Sequence, residues 1–140
     1  KGTLKAVGTK NGKRITSEIT TTEKPFAIVL SPHKTKLKAG KQDAVVVNVS
    51  IVDKKGREVP NADALIQFQL TGDAHIIGVG NGDPSSHEKD TFAEGERVER
   101  KLFNGKCQVI IRSGEKGGKL QLRATAKGLK EAQIIVKSEE

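Results

Sequence analysis

Ala44-Val45-Val46-Val47-Asn48-Val49-Ser50-Ile51-Val52 is the stretch that decides the fold. Val45, Val47, Val49 and Ile51 recur at every second position, so an extended backbone puts all four on one face. β-branched side chains are stiff at χ1 and fit a pleated surface better than a helix. The strand ends at the turn Asp53-Lys54-Lys55-Gly56. Outward from it the same two-residue period recurs. Downstream, Pro60-Asn61-Ala62-Asp63-Ala64 breaks the chain, and Leu65–Leu70 follows with Ile66, Phe68 and Leu70 inward. After Thr71-Gly72-Asp73 comes His75–Val79, and residues 80–101 read as irregular, polar and charged. Two hairpin-like pairs close the chain: Lys106–Arg112 with Lys119–Ala126, then Glu131–Lys137 after the turn Lys127-Gly128-Leu129-Lys130.

Upstream, Phe26–Leu30 is a further strand. Thr3–Val7 and Arg14–Thr22 flank Lys10-Asn11-Gly12-Lys13, where Asn-Gly supplies the positive φ angles of a tight hairpin. No window of about 11 residues keeps a helical apolar stripe, and Glu94–Lys101, the nearest, has too few apolar residues. Short strands between Gly, Pro, Asn and Asp turns describe an all-β sandwich. Proline has no amide to give to a ladder, so Lys24-Pro25 marks a boundary. The expected partition is a hairpin, 1–24, and a sandwich, 25–138. An isolated hairpin is marginal in water, so 1–24 is expected to pair with the sandwich, a second copy or a further domain.

The chain has 140 residues, 34% of them hydrophobic, which suffices for one domain with its own core. It holds no run of about 18 apolar residues, so a membrane-spanning helix is excluded. It opens on Lys1 with no apolar leader and contains no methionine, so it reads as a piece of a longer chain. One cysteine, Cys107, rules out an internal disulfide and a multi-cysteine metal site, and its alternation with Val109 and Ile111 points it into the core. The net charge is +8, but residues 1–40 hold nine Lys/Arg against two Glu, and residues 41–140 sixteen against fifteen acids. The basicity therefore belongs to the hairpin end, as lysines alternating along wet strand faces. With no recognition helix and no basic stripe bearing stacking aromatics, nucleic acid is not an expected partner.

Chemistry-bearing residues concentrate in Gly80-Asn81-Gly82-Asp83-Pro84-Ser85-Ser86-His87-Glu88-Lys89-Asp90. Asn81, Asp83, Glu88 and Asp90 carry oxygens suited to a hard cation, though not at the spacing of a known calcium loop. The same residues serve equally to cap turns that Pro84 stiffens. Ser85 or Ser86, His87 and Glu88 are adjacent, and a catalytic triad needs its members to converge from separate elements. Gly78-Val79-Gly80-Asn81-Gly82 leads into no helix and so lacks a phosphate cradle. His33 and His75 stand far apart, outside any metal spacing. Trp and Tyr are absent and Phe26, Phe68, Phe92 and Phe103 are the only aromatics, which leaves little to stack on a sugar. No catalytic residue, cofactor or metal is expected.

The run Val52-Asp53-Lys54-Lys55-Gly56-Arg57-Glu58-Val59-Pro60-Asn61-Ala62-Asp63 resembles the C-terminal domains of bacterial β-galactosidases of glycoside hydrolase family 2. Ile66-Gln67-Phe68, the 78–84 loop with Ser86-His87-Glu88, Phe103-Asn104-Gly105-Lys106-Cys107, Lys116-Gly117-Gly118-Lys119-Leu120 and Ala124-Thr125-Ala126-Lys127-Gly128-Leu129 extend the resemblance over most of 25–138. Gly2–Gly8 with Asn11-Gly12-Lys13 is similar to the closing hairpin of the immunoglobulin-like domain that precedes it in those enzymes. The resemblance implies an immunoglobulin-like, invasin-related antiparallel sandwich at the far C-terminus of an exported multidomain glycosidase. Its catalytic glutamates would lie on a separate barrel, and no position here matches them. The partners implied are the other domains of the parent chain. Asn81, Asp83, Ser86, His87 and Glu88 are carried over as a family signature with an expected inter-domain role. A different class, an invasin-like adhesion or spacer domain, shares the same fold.

Overall fold

The computed structural model describes residues 1–140. Eleven strands run in chain order: β1 Thr3–Lys10, β2 Lys13–Thr20, β3 Ala27–Pro32, β4 Lys36–Lys38, β5 Ala44–Val52, β6 Leu65–Thr71, β7 Ala74–Gly80, β8 Val98–Lys101, β9 Lys106–Ser113, β10 Gly118–Thr125 and β11 Ala132–Glu139. Two sheets pack face to face, one ordered β4-β11-β10-β6-β8 and the other β3-β5-β9-β7, while β1 and β2 form a ribbon of their own. The all-β sandwich expected from the sequence is the fold observed.

The period-two pattern becomes the core. Val45, Val47, Val49 and Ile51 of β5 are fully buried, beside Cys107, Val109 and Ile111 of β9. Against them lie Ile66 and Phe68 of β6, Leu120, Leu122 and Ala124 of β10, and Val136 of β11. Each of these large side chains contributes about 1.5–3 kcal/mol by leaving water. Cys107 sits among them, where burial pushes its thiol up to about 12 against the opposing pull of the Arg100 charge. A thiol raised from 9.0 to about 12 holds roughly a thousandfold less thiolate near neutrality. Labelling of Cys107 by iodoacetamide at pH 8 should therefore be about 1000-fold slower in the folded chain than in urea; a ratio below ten would contradict this placement. Because the folded state keeps a proton that the unfolded state releases, stability is lost as pH rises from about 9 through 12.

Three sequence expectations need correction. Lys106–Arg112 and Lys119–Ala126 are not a hairpin: β9 pairs with β5 and β7, β10 with β11 and β6, and the chain crosses between layers at residues 114–117. β9 belongs to one layer and β10 to the other, and their buried side chains meet across the core between them. The crossing is tied down where Ser113 N donates to Asp43 O and Gly114 N to Asp73 O, each within 2.9 Å. Second, residues 80–101 are not irregular throughout, since β8 closes one edge of the larger sheet through Ile66↔Arg100 and Phe68↔Val98. Third, the sandwich is not wholly antiparallel: β4 lies parallel to β11, with Ser138 opposite Leu37.

β1 and β2 pair in strict register about Asn11-Gly12, whose φ angles of 52° and 74° make the tight turn. One face of this ribbon carries Leu4 opposite Ile19, Ala6 opposite Ser17 and Gly8 opposite Ile15. Leu4 and Ile19 stay 73% and 72% exposed. The other face carries Thr3, Lys5, Thr16 and Glu18, with Lys5 Nζ 2.7 Å from Glu18 Oε1.

Candidate functional site

The loop after β7 is organised by one side chain that the sequence reading passed over. Arg100 lies on β8 opposite Ile66, so the pleat directs it to the core side, where it is only 4% exposed. A buried guanidinium is costly unless its donors are used. Here they draw in the loop. Nη1 donates to Asp90 Oδ1 at 2.8 Å, and Nη2 to Asn81 Oδ1 at 3.0 Å and Ser86 Oγ at 3.3 Å. The carbonyls of Glu88 and Lys89 stand 3.5 Å from Nη1, at the long limit of a hydrogen bond. Nε is buried without a hydrogen bond, facing Glu88 Oε2 at 3.8 Å.

The loop is also stitched to both sheets. Glu88 Oε1 accepts from Lys101 N, and Asn81 Nδ2 donates to Lys101 O, both on the β8 edge. Val79 N on the β7 edge donates to Asp90 O at 2.8 Å. Arg100 thus cross-links the free edges of the two layers through one segment.

Of the residues expected at this site, Asn81, Ser86 and Glu88 converge on Arg100. Asp83 stands one step out. Its amide donates to Asn81 Oδ1, its carbonyl accepts from Ser86 N, and its carboxylate accepts from the Ser85 hydroxyl and amide. The Ser85 hydroxyl and amide, with help from the Arg100 charge, hold the Asp83 carboxyl below the usual range against a smaller effect of burial. His87 is exposed and joins none of these contacts, so the Ser86–Glu88 bond at 3.2 Å is a turn contact and not part of a triad. Of the oxygens that suggested a hard cation, those of Asn81, Glu88 and Asp90 surround a guanidinium, which already supplies the positive charge. The signal for Arg100 was present as Val98-x-Arg100-x-Leu102, one charged residue on the inward phase of an alternating segment.

Residues 28–135 match the family model described as glycoside hydrolase family 2 C-terminal domain 5. The β-galactosidase BoGH2A of Bacteroides ovatus is 39% identical over 140 residues, which cover 99% of this chain and 16% of that protein. A solved glycosyl hydrolase family 2 member from Bacteroides cellulosilyticus superposes with a TM-score of 0.88 at 32% identity, covering 99% of this chain and 17% of that one. The D00-D0 domain of intimin shares the fold alone, with a TM-score of 0.57 at 15% identity over 99% of this chain and 65% of its own length.

Proposed function

We propose, from the premise that this chain belongs to the glycoside hydrolase family 2 C-terminal domain 5 family, that it is a non-catalytic accessory domain of an exported β-galactosidase-like glycosidase acting on β-linked sugars. The observation that carries the reading is the alignment with the Bacteroides ovatus β-galactosidase, in which nearly the whole of this chain accounts for 16% of an enzyme. Residues 1–24 are then the closing hairpin of the domain before it, and the exposed Leu4–Ile19 face is what that domain covers. Residues 25–138 are the sandwich that packs against or spaces the catalytic part. Its contribution is burial and orientation.

The Arg100-pinned loop is the contact patch this reading favours. It is polar, it projects from a rigid scaffold, and its outward side chains, His87 and Lys89 among them, are exposed. The test compares the full parent enzyme with the 140-residue chain. The parent should hydrolyse p-nitrophenyl β-galactoside and the chain alone should not. His87→Glu, at an exposed side chain that makes no contact within this chain, should lower the parent's Tm by a few degrees and leave the isolated chain within 1 °C or so. An inactive parent overturns the glycosidase reading; equal Tm changes in both proteins overturn the contact role of the loop. The shared fold with intimin favours a second reading, an adhesion or spacer domain, which an inactive parent would support.

A further inference from the structure

The hairpin is joined to the sandwich by residues 21–26, and one side chain holds that strap. Asp53, at the end of β5, is 1% exposed and yet charged. Its Oδ1 accepts from Lys55 N at 2.8 Å and Arg57 N at 3.1 Å, which closes the turn on itself. Its Oδ2 accepts from Arg57 Nε at 2.8 Å and Nη2 at 2.7 Å. The remaining donor comes from outside the turn: Glu23 N, 2.9 Å from Oδ2 and thirty residues earlier in the chain. Glu23 then returns its own carboxylate to Lys55 Nζ at 3.0 Å and Arg57 Nη2 at 3.8 Å. Burial alone would raise the Asp53 carboxyl, but the Glu23 amide, the Arg57 guanidinium and the turn amides outweigh it and hold it well below the usual range.

On the hairpin side of this point, Thr21 N is bonded to Gly2 O and belongs to the ribbon. On the sandwich side, Phe26 N is bonded to Val52 O and belongs to the layer. Glu23 is the bonded residue between the two. The ribbon's own apolar face, with Leu4 and Ile19 exposed, is not what fixes it.

We propose that Asp53 is the joint of this molecule, a positioning residue whose buried carboxylate sets the direction in which the hairpin leaves the sandwich. The consequence for a parent enzyme rests on the reading of 1–24 as part of a preceding domain: the joint would then orient that domain, and through it the rest of the chain. A charged group suits this task better than an apolar patch. Its five donors must all point at two oxygens, so the strap is fixed in angle as well as in distance.

The test uses the 140-residue chain, with ¹⁵N relaxation and residual dipolar couplings. In the unaltered protein, amides of Thr3–Thr20 and of the sandwich should fit a single alignment tensor and a single tumbling time. Glu23→Pro deletes the strap's donor and leaves the 53–57 turn whole; Glu23→Ala keeps the donor and removes only the ion pairs with Lys55 and Arg57. Glu23→Pro and Asp53→Asn should each reduce the hairpin's alignment at least twofold relative to the sandwich, whereas Glu23→Ala should keep the common tensor. A hairpin as well aligned in Glu23→Pro as in Glu23→Ala overturns the proposal, as does a hairpin that tumbles independently in the unaltered chain. Should Asp53→Asn fail to fold, Glu23→Pro decides alone. None of these results depends on what precedes Lys1, so a failed joint leaves the glycosidase reading standing, and an inactive parent leaves the joint standing.

Discussion

Gly105→Ala is expected to destabilise the sandwich by about 2–5 kcal/mol, the sum of roughly 1–2 for an alanine in the left-handed region and roughly 1–3 for overpacking. Asn104 and Gly105 form the two-residue turn into β9, with φ of 50° and 75°. Phe103 and Lys106 close it by exchanging both backbone hydrogen bonds, at 2.9 and 3.1 Å. Asparagine tolerates such an angle and alanine does not. Gly105 carries a second constraint. A β-carbon there would fall inside the Val59 carbonyl oxygen and stand 3.2 Å from Pro60 Cα. Those are backbone atoms, and Gly105 N is itself bonded to Ala62 O, so the 59–62 segment cannot step aside without breaking what holds it. Val59 is 2% exposed and joins the core, which carries the disturbance inward. Two control variants separate the terms. Asn104→Gly relaxes the angle and should change stability by less than about 0.5 kcal/mol. Gly105→Asn relieves the angle and keeps the clash, so it should retain most of the loss. Urea unfolding of the three variants checks this, and a Gly105→Ala midpoint equal to that of the unaltered chain would refute it.

The same turn shows what a sequence displays and what it hides. Asn-Gly before an alternating run is a local signal, because the turn's angles depend on those two residues alone; hence Asn11-Gly12 reads as a hairpin, and Asn104-Gly105 carries the same pair of residues before β9. The long strands are legible for a similar reason, since four buried residues on one phase of β5 leave no other assignment. β4 and β8 escape because their few residues carry one apolar side chain apiece: Leu37 between lysines, and Val98 with Arg100 on its phase. Each exists because a longer neighbour, β11 or β6, presents an edge to pair with. The layer crossing between β9 and β10 is hidden for a related reason. Adjacent strands with inward alternation look the same whether they share a sheet or face each other across the core. At the loop, the polar cluster is plain in the sequence, whereas its organiser shows only as one charged residue on the inward phase of Val98-x-Arg100-x-Leu102, a segment too short to establish that phase by itself. Asp53 was hidden likewise, inside a turn motif that accounts for its presence without its burial.

Arg100→Met should lower stability by about 2–3 kcal/mol and release residues 81–90 from their scaffold. Replacing a buried ion pair by a hydrophobe of similar volume is often neutral, so the sign needs an argument. Here the partners decide it. Asp90 is 74% exposed by side chain and returns to water at little cost when the guanidinium leaves. Asn81 Oδ1 and Ser86 Oγ are different, because both residues are half-buried and lose a charged donor that methionine cannot replace. Glu88 keeps Lys101 N but loses the positive charge 3.8 Å from its other oxygen. The lost contacts are also those that tie the β7 edge to the β8 edge, so the effect should be concentrated there. Hydrogen exchange at Val79 N and Lys101 N should rise by at least tenfold, while amides of β5 and β10 follow only the global loss. Arg100→Lys separates charge from geometry. An ammonium can restore the Asp90 pair but cannot reach Asn81 and Ser86 from the same point, so it should recover about half of the stability and little of the loop's protection. If Arg100→Met instead leaves both the unfolding midpoint and the exchange at Val79 unchanged, the loop holds its shape through its own turns. Arg100 would then be a tolerated charge and not the organiser of the site.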